Sequence, residues 1–320
     1  MTNTQAGFAT IHSDWVLDTL ESSLSQRLSP LCLERNSYIN RVYECESRAD
    51  KTRFIVKFYR PGRWSKAQLL EEHHFLQALS EAELNVVAPI NINGDTLLER
   101  DGIYFSIFPK KGGRALDEFS EQHYEEIGRL IARMHQVSAS FVCKHRLTWS
   151  PTTVSHTHLQ QILHADSLRA EYKDRFNTVA TQVIQKIEPA FEGVQSRLIH
   201  GDLHFSNIIE RPNEGLTLLD FDDCVRGPRI QDIWMLLPEA SQHNEKEIQQ
   251  LAKGYDTFAD FPYEELALIP ALRAMRQIHF IAWCASQEAE AHFKHHFPNW
   301  GSMSYWNESI KELQHFLYDA

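Results

Sequence analysis

The sequence predicts an α+β chain of two lobes, a small one built on an antiparallel sheet and a larger one that is mostly helical. Three observations predict it. Over the first 108 residues, short apolar runs are separated by turn residues and interrupted by few helical patterns. From residue 114 onward, apolar residues recur mainly at helical spacing. Between them stands Pro109-Lys110-Lys111-Gly112-Gly113, a basic, Gly-rich connection that reads as a hinge. The expected organisation is residues 1–108 as the N-terminal lobe, 109–113 as the hinge and 114–320 as the C-terminal lobe.

Each element has its own warrant. Ser13 is placed to cap a helix reaching about Ser22, with Trp15, Leu17 and Leu20 apolar. Residues 33–45 read as strand, polar turn, strand, the second strand alternating Val42 and Glu44 against Tyr43 and Cys45. Residues 53–59 form a further strand, ended by Arg60-Pro61-Gly62. A helix is expected from Ser65 to about Leu79, with Leu69, Leu70, Phe75, Leu76 and Leu79 apolar. Asn93-Gly94 reads as a hairpin turn between residues 90–92 and 96–98, and residues 103–108 as the last strand of the sheet. Strands joined by hairpins pair antiparallel. Past the hinge, residues 124–138 carry Ile127, Leu130, Ile131 and Met134 on one helical face, and residues 158–188 read as one or two amphipathic helices ending near Pro189. Asp232 is placed to cap residues 233–237, and Pro270 to open a helix containing Leu272, Met275 and Ile278.

Composition bounds the function. A hydrophobic content of 42% with 7 Trp and 18 Phe supplies a substantial core. The net charge of -11 argues against a general nucleic-acid binder, and suits either solubility or a basic acceptor. Five Cys, an odd number with no C-x-x-C spacing, read as reduced thiols rather than a disulfide framework or zinc site. The first residues have neither a basic n-region nor an apolar h-region, and no run approaches a membrane span. The cytoplasm is the expected location. The 17 His, including His73-His74, lack Cys or carboxylate partners at ligand spacing and read as solvated or locally packed.

The chemistry is concentrated in His200-Gly201-Asp202-Leu203-His204-Phe205-Ser206-Asn207 and, thirteen residues on, Asp220 at the end of the apolar run Leu216-Thr217-Leu218-Leu219. Phosphoryl transfer from ATP needs a carboxylate to align the acceptor hydroxyl and take its proton. It also needs an amide oxygen and a second carboxylate to hold Mg²⁺ on the phosphates. The H-R-D-x-x-x-x-N catalytic loop has the same Asp-to-Asn step, followed by a metal-binding Asp. Asp202 is the expected base, Asn207 and Asp220 the expected metal ligands. Lys57, inside an apolar strand like the lysine of V-A-I-K, is the expected phosphate cation, held by Glu72 of the following helix with Glu71 as competitor. No G-x-G-x-x-G is present; the turn Asn36-Ser37-Tyr38-Ile39-Asn40-Arg41 stands in its place, with Ser37 as the phosphate donor and Arg41 as added charge or a solvated side chain. His204 is expected to orient the loop or the acceptor. Beyond capping, Asp232 is placed to accept backbone N–H bonds from the catalytic loop.

These residues resemble the aminoglycoside phosphotransferase and choline kinase superfamily, which has a bilobal protein-kinase-like fold. The likeness is carried by His200-Gly201-Asp202-x-His204-x-x-Asn207, Leu219-Asp220-Phe221-Asp222-Asp223 and Asp232. Asn36-Ser37-Tyr38-x-Asn40-Arg41-Val42-Tyr43, Val56-Lys57-Phe58-Tyr59-Arg60-Pro61, Leu70-Glu71-Glu72-His73, Arg226-Gly227-Pro228 and Leu272-Arg273-Ala274-Met275-Arg276 resemble a bacterial stress-response branch of it, over nearly the whole chain. The resemblance implies a monomeric, cytosolic serine/threonine protein kinase using ATP and Mg²⁺, with Asp202 as proton acceptor, Asn207 and Asp220 at Mg²⁺ and Ser37 at ATP. Two alternatives stand beside it. One is a small-molecule kinase acting on choline, homoserine or an amino sugar, with Trp234, Trp283, Trp300, Tyr305 and Trp306 as pocket aromatics. The other is an inactive binding module, disfavoured because Lys57, Asp202, Asn207 and Asp220 are all present. Asp222 stands where D-F-G has Gly, and only eleven residues separate Asp220 from Asp232, too few for a long activation loop.

Overall fold

The computed structural model describes residues 8, 11–37, 39–116, 118–211, 213–238, 244–290 and 293–318. In chain order the elements are α1 (Ser13–Leu24), β1 (Leu28–Arg35), β2 (Arg41–Ser47), β3 (Arg53–Phe58), α2 (Lys66–Glu81), β4 (Leu98–Arg100), β5 (Ile103–Pro109), β6 (Arg114–Ala115) and α3 (Glu121–Ser140). There follow α4 (His156–Leu163), α5 (Ala170–Ile187), β7 (Arg197–Ile199), β8 (Ile208–Arg211), β9 (Gly215–Leu218), β10 (Val225–Gly227), α6 (Gln231–Trp234), α7 (Glu245–Tyr255), α8 (Ile269–Gln287), α9 (Phe293–His296) and α10 (Met303–Tyr318). The chain divides into two compact units. One comprises Met1–Arg146, Asp202–Cys224 and Pro238–Ala259, the other Leu147–Gly201, Val225–Leu237 and Asp260–Ala320. Residues 109–113 lie inside the first.

The first unit holds a five-stranded antiparallel sheet in the order β1-β2-β3-β5-β4. Alternation along β3 decides what each face carries. Phe54, Val56 and Phe58 join Tyr43, Cys45, Phe105 and Ile107 in a core closed by Val16 and Leu20 of α1. Ile55 and Lys57 therefore face the other way. The helix expected from Ser65 is α2, and Ser65 caps it through a reciprocal pair with Gln68. On α1, however, the N-cap is His12, and Ser13 is already helical. The turn Asn93-Gly94 exists, with both φ angles positive, but it closes only a single bridge between Ile92 and Asp95. The hairpin proper turns at Asp101-Gly102 between β4 and β5, an Asp-Gly pair of the same chemistry. Lys110, just after β5, is tied back to the buried Glu44 at 2.5 Å.

Two further features of this unit follow from its packing. His73 of α2 is buried and hydrogen-bonded at 2.9 Å to both Tyr59 and Thr96, so it is one of the locally packed histidines. Helices α3 and α7 pack at such short range that only glycine fits at two positions. A Cβ on Gly254 would lie 1.9 Å from the Glu125 carbonyl oxygen, and one on Gly128 would lie 2.2 Å from that of Leu251. A second, three-stranded sheet β6-β8-β9 completes the unit.

The second unit is mostly helical. The region expected as one or two helices is two, α4 and α5, and Pro189 falls in the 3₁₀ turn after α5. Pro270 lies in the first turn of α8. The buried faces are Leu159 and Ile162 on α4, Phe176, Val179, Val183 and Ile184 on α5, Leu272, Met275 and Ile278 on α8, and Trp306, Ile310 and Leu313 on α10. Strands β7 and β10 pair antiparallel. The aromatics considered as pocket lining mostly pack on one another: Trp300 lies 4.8 Å from Tyr305 and 5.5 Å from Trp306, ring to ring. No helix among the described residues is long and apolar enough to cross a membrane.

Two predictions follow from this packing. Gly254→Ala forces α3 and α7 apart and lowers the unfolding free energy by ~1–3 kcal/mol; chemical denaturation with an unchanged midpoint would contradict the close approach. Burial pushes His73 down to about 3 and His158 down to about 4. A folded value below the unfolded one means the unfolded chain takes up the proton first, so stability is lost as pH falls below about 6.5. Each histidine should remove ~2 kcal/mol between pH 6.5 and 5. Urea titrations at pH 7 and pH 5 measure the loss, and His73→Gln should flatten the slope.

Candidate active site

Register explains how Asn207 and Asp220, far apart in sequence, come together. Strands β8 and β9 pair with Ile208 opposite Leu218, and the Leu219 N–H donates to the Asn207 carbonyl oxygen at 2.9 Å. Asn207 precedes one strand and Asp220 follows the other, so both leave the same end of the hairpin. The Asn207 side-chain NH₂ donates to the Asp202 main-chain oxygen at 2.9 Å. That bond closes the Asp202–Asn207 loop and turns the amide oxygen to the opposite side. The Asp202 carboxylate is partly exposed, with His204 Nε2 3.5 Å away.

The peptides just before Asp202 are held by Asp232. Its carboxylate is fully buried and accepts the N–H groups of His200 at 2.9 Å and Gly201 at 2.8 Å. Gln231 Nε2 donates to the Gly201 oxygen at 2.9 Å. Gly201 has a φ of +83°, a turn that L side chains rarely adopt, immediately ahead of Asp202. Asp232 is not the helix cap expected from its position. The residue at the N-cap of α6 is Ile230, and Asp232 lies inside the helix with its carboxylate turned to the His200 and Gly201 peptides.

Lys57 reaches Asp220 Oδ1 at 3.0 Å and Asp222 Oδ1 at 3.3 Å. Burial favours its neutral form, but the charges of Asp220, Asp222 and Glu72 outweigh that and raise its pKa well above the ordinary lysine range. The ion pair expected between Lys57 and Glu72 is replaced by another. Glu72 is buried on α2 and accepts from Arg146 Nη2 at 2.8 Å. Burial pushes the Glu72 carboxyl up while Lys57 works against it. Arg146 outcompetes Lys57 because a guanidinium can serve several acceptors from one plane. It donates to the carbonyl oxygens of Gln68 at 2.9 Å, Asp222 at 2.6 Å and Cys224 at 3.3 Å, and lies over the Trp64 ring at 4.7 Å. Glu71, the competitor, is spent elsewhere: it accepts the N–H groups of Lys144, His145 and Arg146.

The segment after Asp220 is anchored by Asp222. Its buried carboxylate meets Arg63 Nη1 at 2.7 Å and Asn40 Nδ2 at 3.2 Å, as well as Lys57. Burial alone would raise its pKa, yet Lys57, Arg63 and Arg146 hold it well below the usual carboxylate range. Asn40 also accepts the Arg60 N–H at 3.1 Å, which fixes the end of the turn that carries the exposed Ser37. Arg41 pairs with Glu34 at 3.3 Å across the hairpin. Asp220 itself has φ 57° and ψ 69°, a left-handed conformation that costs a non-glycine residue ~1–2 kcal/mol and persists where its surroundings over-determine it. Arg63 and Arg146, and the contact that Asn40 makes to Asp222, escaped sequence reasoning because nothing local marks them: each partner lies more than seventy residues away.

This arrangement offers hard oxygen donors, the exposed Asp220 carboxylate and the Asn207 amide oxygen, at one end of a hairpin. Among the described residues no three His, Cys, Asp or Glu side chains form a self-sufficient metal site. Two oxygen donors of this kind are what a cation such as Mg²⁺ takes from a protein when phosphates and water complete its shell.

Residues 33–269 match the phosphotransferase enzyme family. The chain is 34% identical to stress response kinase A of Escherichia coli strain K12, over 100% of this chain and 96% of that protein. It is 33% identical to the serine/threonine protein kinase RdoA of Salmonella typhimurium, over 93% of this chain and 90% of that one. Among solved structures, amicoumacin kinase hAmiN in complex with AMP-PNP and Ca²⁺ superposes with a TM-score of 0.76 at 18% identity, covering 98% of this chain and 96% of that chain. Choline kinase LicA from Streptococcus pneumoniae superposes with a TM-score of 0.63 at 17% identity, covering 94% and 98%. The fold is the one expected, an antiparallel N-terminal sheet followed by a largely helical region.

Arg146→Met should lower the unfolding free energy by ~3–5 kcal/mol, the cost of leaving a buried partner charge uncompensated. Adding Glu72→Gln to it should recover part of the loss. A double variant as unstable as the sum of the two single variants would show that the pair is not coupled.

Proposed function

The chain belongs to the phosphotransferase enzyme family, and we propose that within it the protein is an ATP- and Mg²⁺-dependent serine/threonine protein kinase acting in bacterial stress response. One observation carries the chemistry. A single hairpin end presents Asn207 and Asp220, with Asp202 bound to Asn207 and the Lys57 ammonium 3.0 Å from Asp220. In this reading residues 1–108 provide the nucleotide-binding half, 109–113 a hinge, and the remainder the acceptor-binding half. Asn207 and Asp220 would hold Mg²⁺, which when bound neutralises charge on the transferring phosphoryl group. Asp202 aligns the acceptor hydroxyl and takes its proton. His204, 3.5 Å from that carboxylate, orients it. Lys57 carries a fixed positive charge toward the phosphates, and Ser37 offers its hydroxyl from the β1–β2 turn. Asp232 keeps the loop from rearranging during transfer. Catalysis is then positioning plus electrostatic stabilisation. The protein acceptor comes from the relative named a serine/threonine protein kinase. The five free cysteines suit the cytoplasm, and the family resemblance implies a monomer.

A second reading has its own support: the solved structures of this fold include an aminopropanol kinase and a choline kinase. Against it, the candidate aromatics of the second unit largely pack on each other. A reaction with radiolabelled ATP and Mg²⁺, containing a basic protein acceptor beside choline, homoserine and amino sugars, separates the two. Label in protein alone supports the protein kinase; label in one small molecule alone overturns it.

Asp202→Asn should lower kcat by ~10²–10⁴-fold while nucleotide binding stays nearly intact; full activity in that variant removes the base assignment. The short span from Asp220 to Asp232 predicts that protein freed of phosphate is active. An inert dephosphorylated enzyme, revived by phosphorylation within residues 223–231, would contradict this.

A further inference from the structure

All five cysteines are free, yet two of them are set against each other in a way the kinase reading does not use. Cys32 on β1 and Cys45 on β2 are direct cross-strand partners, and their sulfurs lie 3.8 Å apart. Paired residues of antiparallel strands have Cα atoms about 4.5–5.5 Å apart. A disulfide accepts roughly 4.4–6.8 Å, so side-chain rotation suffices to join the sulfurs without moving the strands. Access is one-sided. Cys45 is fully buried, whereas Cys32 is half-buried and reachable from solvent. The Cys45 thiol donates to the Cys32 sulfur, which lowers the Cys32 pKa below the ordinary thiol range. The remaining cysteines have other surroundings; Cys143 donates to Glu71.

We propose that Cys32 and Cys45 form a dithiol oxidation site that a hydroperoxide converts into an intrachain disulfide. The Cys32 thiolate attacks the terminal peroxide oxygen, the O–O bond breaks, and an alcohol or water leaves after protonation, so that Cys32 becomes a sulfenic acid. The Cys45 sulfur then attacks the Cys32 sulfur, the S–O bond breaks, and water leaves with the Cys45 proton. Two thiols and one hydroperoxide thus give one disulfide, one alcohol or water, and one water. Sulfur is oxidised and the peroxide oxygens are reduced. Reversal begins at the accessible Cys32 sulfur, where an external dithiol attacks and releases Cys45. The bridge would tie β1 to β2 three register steps below the turn that carries Ser37 and Asn40. None of this depends on the phosphotransfer reading.

The test uses the full chain treated with equimolar hydrogen peroxide, then unfolded, alkylated and mapped by peptide mass. The expected result is one linked peptide pair joining Cys32 to Cys45, loss of two of the five thiols, and full recovery with dithiothreitol. Cys45→Ala should stop the reaction at a sulfenic acid on Cys32 that dimedone traps, and Cys32→Ser should leave Cys45 reduced. Five alkylatable thiols after treatment overturn the proposal. So does a disulfide that joins two chains or involves a different cysteine.

Discussion

The carboxylate of Asp222 sits in the interior of the first unit among Lys57, Arg63 and Asn40, while its main-chain oxygen is held by Arg146. Everything proposed for the site depends on this arrangement. It joins β3, the β1–β2 turn, the residues ahead of α2 and the loop after α3 to the few residues after β9. Asp220 is thereby kept in a left-handed conformation, its side chain exposed beside the lysine and not folded back on the hairpin. Arg146 is itself positioned by Glu71, which gathers three successive N–H groups of its own loop. The carboxylates of α2 thus divide the labour: one builds the loop, the other receives the guanidinium that the loop delivers.

Such a cluster is a poor source of stability, because removing several charges from water costs about as much as their mutual attraction returns. Its value is in specifying one geometry. Asp222, Glu72, Lys57, Arg63 and Arg146 satisfy one another only in a single arrangement. The Asp232 contacts to His200 and Gly201 act likewise on the peptides ahead of Asp202. A phosphotransferase that works by alignment needs such rigidity more than it needs an extra kilocalorie of folding free energy.

Much of this was legible in the sequence, and the reasons differ by residue. The loop from His200 to Asn207 and the strand-ending Asp220 are local patterns, and a hairpin between them brings their ends together whatever surrounds it. Lys57 was legible because a charged residue interrupts an apolar strand. Its partner was not. Helical spacing placed Glu72 on the inward face correctly, but only the fold shows that Arg146, seventy-four residues later, reaches that carboxylate. Asp222 looked like a mere departure from Gly; its role depends on Arg63 and Asn40, both more than 150 residues away. The Asn93-Gly94 and Asp101-Gly102 turns carry similar chemistry, and which of them closes a true hairpin was decided by β4 pairing with β5.

The central claim, that hairpin register and the Asp222 cluster bring Asp220 and Asn207 onto one divalent cation, is most directly tested by a crystal structure grown with a non-hydrolysable ATP analogue and Mn²⁺. The account predicts one or two anomalous manganese peaks bounded by the phosphates, an Asp220 carboxylate oxygen and the Asn207 amide oxygen. Manganese bound to the nucleotide with neither residue in its coordination sphere would contradict it.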